Sequence, residues 1–102
     1  MIHHLQLQIN DLWQSFFFMG PDLEESCQLY RELRAALRAA GVTYRCRLKR
    51  VAFNNQRVIL RHREAHPEVA RVIDAFCDVR CQAGQWNEEI IEHDDDPLRG
   101  EA

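Results

Sequence analysis

The stretch that decides the fold is PDLEESCQLYRELRAALRAAG, residues 21–41. Its apolar side chains recur at helical spacing and form one stripe, which consists of Leu23, Cys27, Tyr30, Leu33, Leu37 and Ala40. Pro21-Asp22 is a helix start signal, and Gly41 stands where a left-handed C-cap belongs. The stretch therefore predicts an amphipathic helix that buries one face against the rest of a core.

Upstream of this helix, residues 3–9 alternate between apolar and polar side chains, which is the period of a half-buried strand. After Asn10-Asp11, residues 12–19 are rich in Trp and Phe, so the two segments predict a β-hairpin with a two-residue turn. A helix is the alternative, since Leu5, Ile9, Leu12, Phe16 and Met19 also fit helical spacing. The fold would then begin with a helix and continue as α-β-hairpin-α.

Downstream of the helix, residues 42–63 indicate a second hairpin around Asn54-Asn55. Tyr44, Cys46 and Leu48 alternate with the basic residues of the same segment. A three-residue or bulged turn is predicted, because it sends the basic residues of both strands to one face. That face then carries Arg45, Arg47, Lys49, Arg61 and Arg63.

Pro67 begins a second amphipathic helix with Val69, Val72, Ile73 and Phe76 turned inward. The chain is thus predicted to be an α+β domain of ββαββα type, in which a four-stranded antiparallel sheet carries two helices on one face. We expect residues 1–92 to form this single domain and residues 93–102 to form an acidic, frayed tail.

The charges are segregated along the chain. Residues 1–30 hold four acids and no bases, residues 31–63 ten bases and one acid, and residues 64–102 three bases and eleven acids, for a net charge of −3. The run Phe16 to Met19 is too short for a signal peptide or a membrane span, so a cytoplasmic protein without membrane contact is expected. In that compartment the four cysteines would be reduced thiols.

No motif for catalysis, metal binding or a cofactor emerges. His62, His66, Cys46, Cys77 and Cys81 are of zinc-ligand type, but their spacing does not match that of zinc sites. The four glycines form no phosphate-binding loop, and no residue is positioned to orient a Cys-His pair. We therefore expect a protein that is not an enzyme and that holds neither metal nor cofactor.

Two surfaces could instead bind a partner protein. If Leu12, Phe16 and Phe18 face inward, Trp13 and Phe17 lie on the outer face, where they would form a protein interface or the seam of a homodimer. The second surface is acidic and comprises Glu88, Glu89, Glu92, Asp94, Asp95 and Asp96. Such a cluster is usually a solvated tail, but it can also imitate phosphates and occupy a basic groove on a nucleic-acid-processing complex.

The leading hypothesis is a protein-binding module, a regulator or inhibitor that acts by occupying the surface of a partner. Small size, charge polarity and the lack of catalytic motifs are typical of anti-defence inhibitors carried by phages and mobile elements. The alternative is a nucleic-acid-binding protein that uses the basic hairpin, residues 43–63.

Overall fold

A computed structural model describes residues 1–79 of the chain. The elements follow in the order β1 (Ile2–Ile9), β2 (Leu12–Met19), α1 (Leu23–Ala39), β3 (Arg45–Val51) and α2 (Gln56–Ala65). A further helix, α3, begins at Pro67 and extends to the last described residue. The domain is α+β, as predicted, and its antiparallel sheet has the strand order β2-β1-β3. Within residues 1–79, no helix is both long and apolar enough to cross a membrane.

The first hairpin is confirmed, and the helical alternative for residues 3–19 is wrong. Asn10 and Asp11 form its two-residue turn with φ angles of 55° and 64°. Both angles lie in the left-handed region, which Asn and Asp tolerate better than most residues and which suits the twist of a tight hairpin.

A β-bulge interrupts this hairpin. Leu5 pairs with Phe17 and the next residue, Gln6, pairs with Ser15, so that Phe16 is the extra residue of β2. The bulge reverses the alternation of side chains along β2, because two residues of this strand oppose one position of β1. Phe16 is fully buried, and its ring centre lies 6.0 Å from that of His62.

Helix α1 begins and ends where the sequence predicts. The Asp22 carboxylate accepts a hydrogen bond of 2.8 Å from the backbone N–H of Glu25, which caps the first turn. Gly41 has a φ of 87°, and the N–H of Val42 donates to the carbonyl of Leu37, as in a Schellman motif.

The core lies on one face of the sheet, where α1 and α3 pack against the central strand. Its buried side chains are Leu5, Leu7, Ile9, Phe16, Met19, Leu33, Leu37, Val42, Val69 and Ile73. Burial of such apolar side chains contributes about 1.5 to 3 kcal/mol each, so this face dominates the stability of the domain.

The second hairpin and the fourth strand are wrong predictions. Residues 56–65 form helix α2, and the described part of the sheet has three strands. Helix α2 packs on β2, where Nδ1 of His62 lies 2.9 Å from the carbonyl oxygen of Ser15. The run Val58-Ile59-Leu60 fits either a strand or a helix, and contact with β2 decides for the helix, in which Ile59 is buried.

Helix α3 confirms the predicted start at Pro67 and follows α2 after the single residue His66. Val69 and Ile73 are fully buried in the core, as the sequence predicted. Arg63 of α2 forms a salt bridge with Asp74 of α3, which joins the two helices.

Candidate functional site

The face of the sheet opposite the core carries polar and aromatic side chains from all three strands. We call it the polar sheet face, and it consists of His4, Gln6, Gln8, Trp13, Ser15, Arg45, Arg47 and Lys49. The pairing register aligns these residues in rows. Arg47, Gln6 and Ser15 form one row, and Arg45, Gln8 and Trp13 form the next.

Hydrogen bonds hold the first row in place. Nε of Arg47 donates to Oε1 of Gln6 at 2.7 Å, and Nε2 of Gln6 donates to Oγ of Ser15 at 2.9 Å. In the next row, Nη1 of Arg45 lies 3.4 Å from Oε1 of Gln8. The first row is therefore a connected network across the sheet, and such networks restrict the conformations of their side chains.

Trp13 lies beside the two arginines of β3. The guanidinium carbon of Arg47 is 4.2 Å from the centre of the Trp13 ring, and that of Arg45 is 5.9 Å away. A guanidinium over an indole is attracted by the electrons of the ring face, with a contribution of about 0.5 to 1 kcal/mol at a surface. Trp13 and Arg47 thus form a stacked pair, and each remains partly exposed.

His4 is a buried member of the same hydrogen-bond network. Its Nδ1 lies 3.0 Å from Oγ of Ser15, and the residue is buried. Burial lowers the pKa of His4 below its ordinary value, while the backbone of Asn54 acts in the opposite direction. The imidazole is therefore neutral at pH 7 and serves as a hydrogen-bonding part of the network.

The polar sheet face is cationic, and its cations form no salt bridge with an acid among residues 1–79. Within residues 1–79, Arg45, Arg47 and Lys49 take part in no salt bridge, since the ion pairs of this region are Arg63 with Asp74 and His66 with Glu68. Nε of Arg47 is bonded to Gln6, which leaves its two terminal nitrogens for an external acceptor. Anions are therefore the ligands that this face attracts.

The predicted cationic strip is present only in part. Arg45, Arg47 and Lys49 share one face of β3, as the alternation predicted. Arg61 and Arg63 do not join them, because both lie on α2, and Arg63 is paired with Asp74.

The prediction that Trp13 and Phe17 share the outer face is wrong. The bulge at Phe16 leaves Trp13 on the polar sheet face and turns Phe17 toward Leu5 and the core. The bulge also turns Phe18 to the side of His4, where its ring is 41% exposed. Leu12 precedes the bulge and lies opposite Ile9, but at the end of the hairpin it is 64% exposed.

The acidic cluster lies outside the described residues, as do Cys81 and the predicted boundary between residues 92 and 93. In the described part, no group of three or more His, Cys, Asp or Glu side chains is arranged to hold a metal ion. Cys27 and Cys46 are partly buried thiols.

Sequence reasoning missed the network of His4, Gln6 and Ser15. The alternation of residues 3–9 placed Gln6 and Gln8 on the outer side of β1, but only the pairing register shows that Gln6 lies between Arg47 and Ser15. Comparison with known proteins finds no matching family, and neither a curated protein nor a solved structure shows detectable similarity to this chain.

Proposed function

We propose that this chain is a non-catalytic protein-binding module and that the polar sheet face is its binding surface. The observation that carries the proposal is the stacked pair of Trp13 and Arg47, held in place by the hydrogen bond from Arg47 to Gln6. Trp and Arg are the side chains that contribute most to the affinity of protein interfaces. A partner with acidic side chains fits the uncompensated charge of this face.

The ordering of these side chains before binding supports the same function. A long arginine side chain normally loses conformational entropy when it is immobilised in an interface, at about 0.5 to 1.5 kcal/mol. Arg47 is already held by Gln6, and Gln6 by Ser15, so part of this loss occurs during folding. The module would regulate or inhibit its partner by covering part of the partner's surface.

The test compares two variants of the same strand in pull-downs from nuclease-treated lysate, with bound proteins identified by mass spectrometry. Trp13→Ala removes the stacked ring, whereas Leu12→Ala removes an exposed apolar side chain beside it. For an identified partner, Trp13→Ala should cost on the order of 2 kcal/mol or more in binding free energy. This cost of losing the ring should depend only modestly on salt concentration. Equal binding by both variants would contradict the proposal.

Nucleic-acid binding is the second candidate, favoured by the three cations along β3, Arg45, Arg47 and Lys49, which lie beside an aromatic ring. Alternate residues of a strand are about 7 Å apart, so these three cations can follow a phosphate backbone. In that case affinity for a mixed-sequence oligonucleotide should fall by roughly a hundredfold or more between low and physiological salt. Weak binding of the oligonucleotide at every salt concentration would rule this candidate out.

A further inference from the structure

Strand β3 is an edge of the sheet. Among residues 1–79 it pairs with β1 alone, so one side of its backbone, from Arg45 to Val51, has no strand beside it. Every second residue of an edge strand directs its N–H and C=O groups outward. Seven residues of strand extend for about 23 Å, which is enough to pair with a short extended peptide.

A recess lined by arginines lies beside this edge. Its walls are Tyr30, Arg31, Arg34 and Arg38 of α1 together with Arg45 and Cys46 of β3, and its volume is about 560 Å³. We call it the arginine recess. Arg31, Arg34 and Arg38 follow one another at helical spacing and lie on one side of α1.

Among residues 1–79, no acidic side chain neutralises the arginine recess. None of its lining residues is Asp or Glu, and within the described chain none of its arginines forms a salt bridge. Nη1 of Arg38 donates to the carbonyl of Val42 at 2.9 Å. The guanidinium groups of Arg31, Arg34 and Arg38 repel each other, so an anionic group bound in the recess would relieve unfavourable charge.

Tyr30 supplies a neutral donor in the same recess. Burial raises the pKa of Tyr30, the neighbouring Cys46 thiol acts in the same direction, and Arg34 and Arg38 act against it. The phenol therefore keeps its proton at neutral pH and can donate a hydrogen bond to a carboxylate.

The edge of β3 thus has cations on both sides. The arginine recess lies between β3 and α1, while Arg47 and Lys49 project from the polar sheet face. A second copy of the chain is a poor partner for this edge, because pairing β3 with itself would bring basic side chains together. An acidic strand has the complementary charge.

We propose that the β3 edge accepts an acidic, extended segment of a partner protein as a fourth strand of the sheet. Carboxylates on one face of that segment enter the arginine recess, and those on the other face meet Arg47 and Lys49. Backbone hydrogen bonds to β3 align the segment, and the arginines select its charge. This inference rests on the proposed function and specifies the chemical class of the partner.

The probe is a fluorescein-labelled octapeptide with the sequence EEVEEVEE, which carries acids on both faces of a strand. Fluorescence anisotropy measures its binding to the full chain. Arg31→Glu with Arg34→Glu should weaken binding at least tenfold. Arg57→Glu with Arg61→Glu makes the same change of charge on exposed positions of α2 and should change binding less than threefold. Circular dichroism establishes that both double variants are folded.

Backbone methylation of the peptide separates strand pairing from simple charge attraction. One peptide is N-methylated at positions 2, 4 and 6, and the other at positions 3, 5 and 7. Since only one edge of a strand faces β3, one of the two should lose at least tenfold in affinity while the other binds like the unmodified peptide.

Three results would overturn the inference. They are equal binding of both methylated peptides and the unmodified one, equal effects of the two double variants, and tighter binding of an oligothymidylate of the same charge. The Trp13→Ala pull-down remains an independent test of the proposed function. If the peptide does not bind and the pull-down depends on Trp13, only the proposal for the β3 edge is refuted. If the peptide binds as expected and the pull-down does not depend on Trp13, the polar sheet face is not the binding surface.

Discussion

Arg47 reaches across the central strand to stack on Trp13, with its guanidinium carbon 4.2 Å from the centre of the ring. The two residues lie on strands that do not touch, since β1 separates β2 from β3. Arg47 is opposite Gln6 of β1, and Trp13 is opposite the next residue on that face, Gln8. The contact therefore depends on the register of both strand pairs at once.

The first prediction concerns this contact. In a Trp86→Phe background, Arg47→Ala should expose the Trp13 ring and shift its fluorescence emission to longer wavelength. The unfolding free energy should fall by about 1 kcal/mol, because one cation–π contact and one hydrogen bond to Gln6 are lost. Arg61→Ala, on exposed α2, is the control and should leave the emission unchanged. An unchanged spectrum in Arg47→Ala would show that the stack does not form in solution.

The second prediction concerns the cations of β3. Substituting Arg45, Arg47 and Lys49 together by Glu should leave the domain folded, since these side chains project from the polar sheet face and not into the core. Far-ultraviolet circular dichroism and a urea titration measure this. If the triple variant is unfolded, the three residues form buried ion pairs and the assigned face is incorrect.

The third prediction concerns the bulge. Phe16→Ala should lower the unfolding free energy by about 3 to 5 kcal/mol, because a fully buried ring is removed and a cavity remains. Phe18→Ala removes the same ring from a 41% exposed position and should cost less than about 1.5 kcal/mol. Urea midpoints compare the two variants. Equal losses would show that the bulge is not at Phe16.

The fourth prediction concerns pH. The pKa of His4 is lowered by burial, so the neutral imidazole is favoured in the folded state. The stability that this provides is fully present above the ordinary histidine pKa, about 6.5, and is lost as the pH falls through the lowered pKa of the folded state. The unfolding free energy should therefore decrease from pH 7.5 toward pH 5.

The matched variant is His4→Gln, which retains a side chain able to bond to Ser15 but does not titrate. Its unfolding free energy should decrease less steeply over the same pH range than that of the unmodified chain. Identical slopes for the two proteins would show that His4 does not contribute to the pH dependence.

The sequence was enough to predict those elements whose limits are marked by turn residues or helix caps and whose apolar residues recur with a clear period. Asn10-Asp11 predicted the first turn, Asp22 and Gly41 the limits of α1, and Pro67 the start of α3. Turn chemistry and capping act between residues close in sequence, so the chain alone determines them. Alternation likewise placed Arg45, Arg47 and Lys49 on one face.

The tertiary structure decided what local signals leave open. Residues 56–65 have an apolar run that fits a strand or a helix, and packing of α2 against β2 selects the helix. The bulge at Phe16 separates Trp13 from Phe17, because one extra residue reverses every later side chain of a strand. The arginine recess is lined by residues of both α1 and β3. Only the packing of the helix against the sheet brings residues so distant in sequence together.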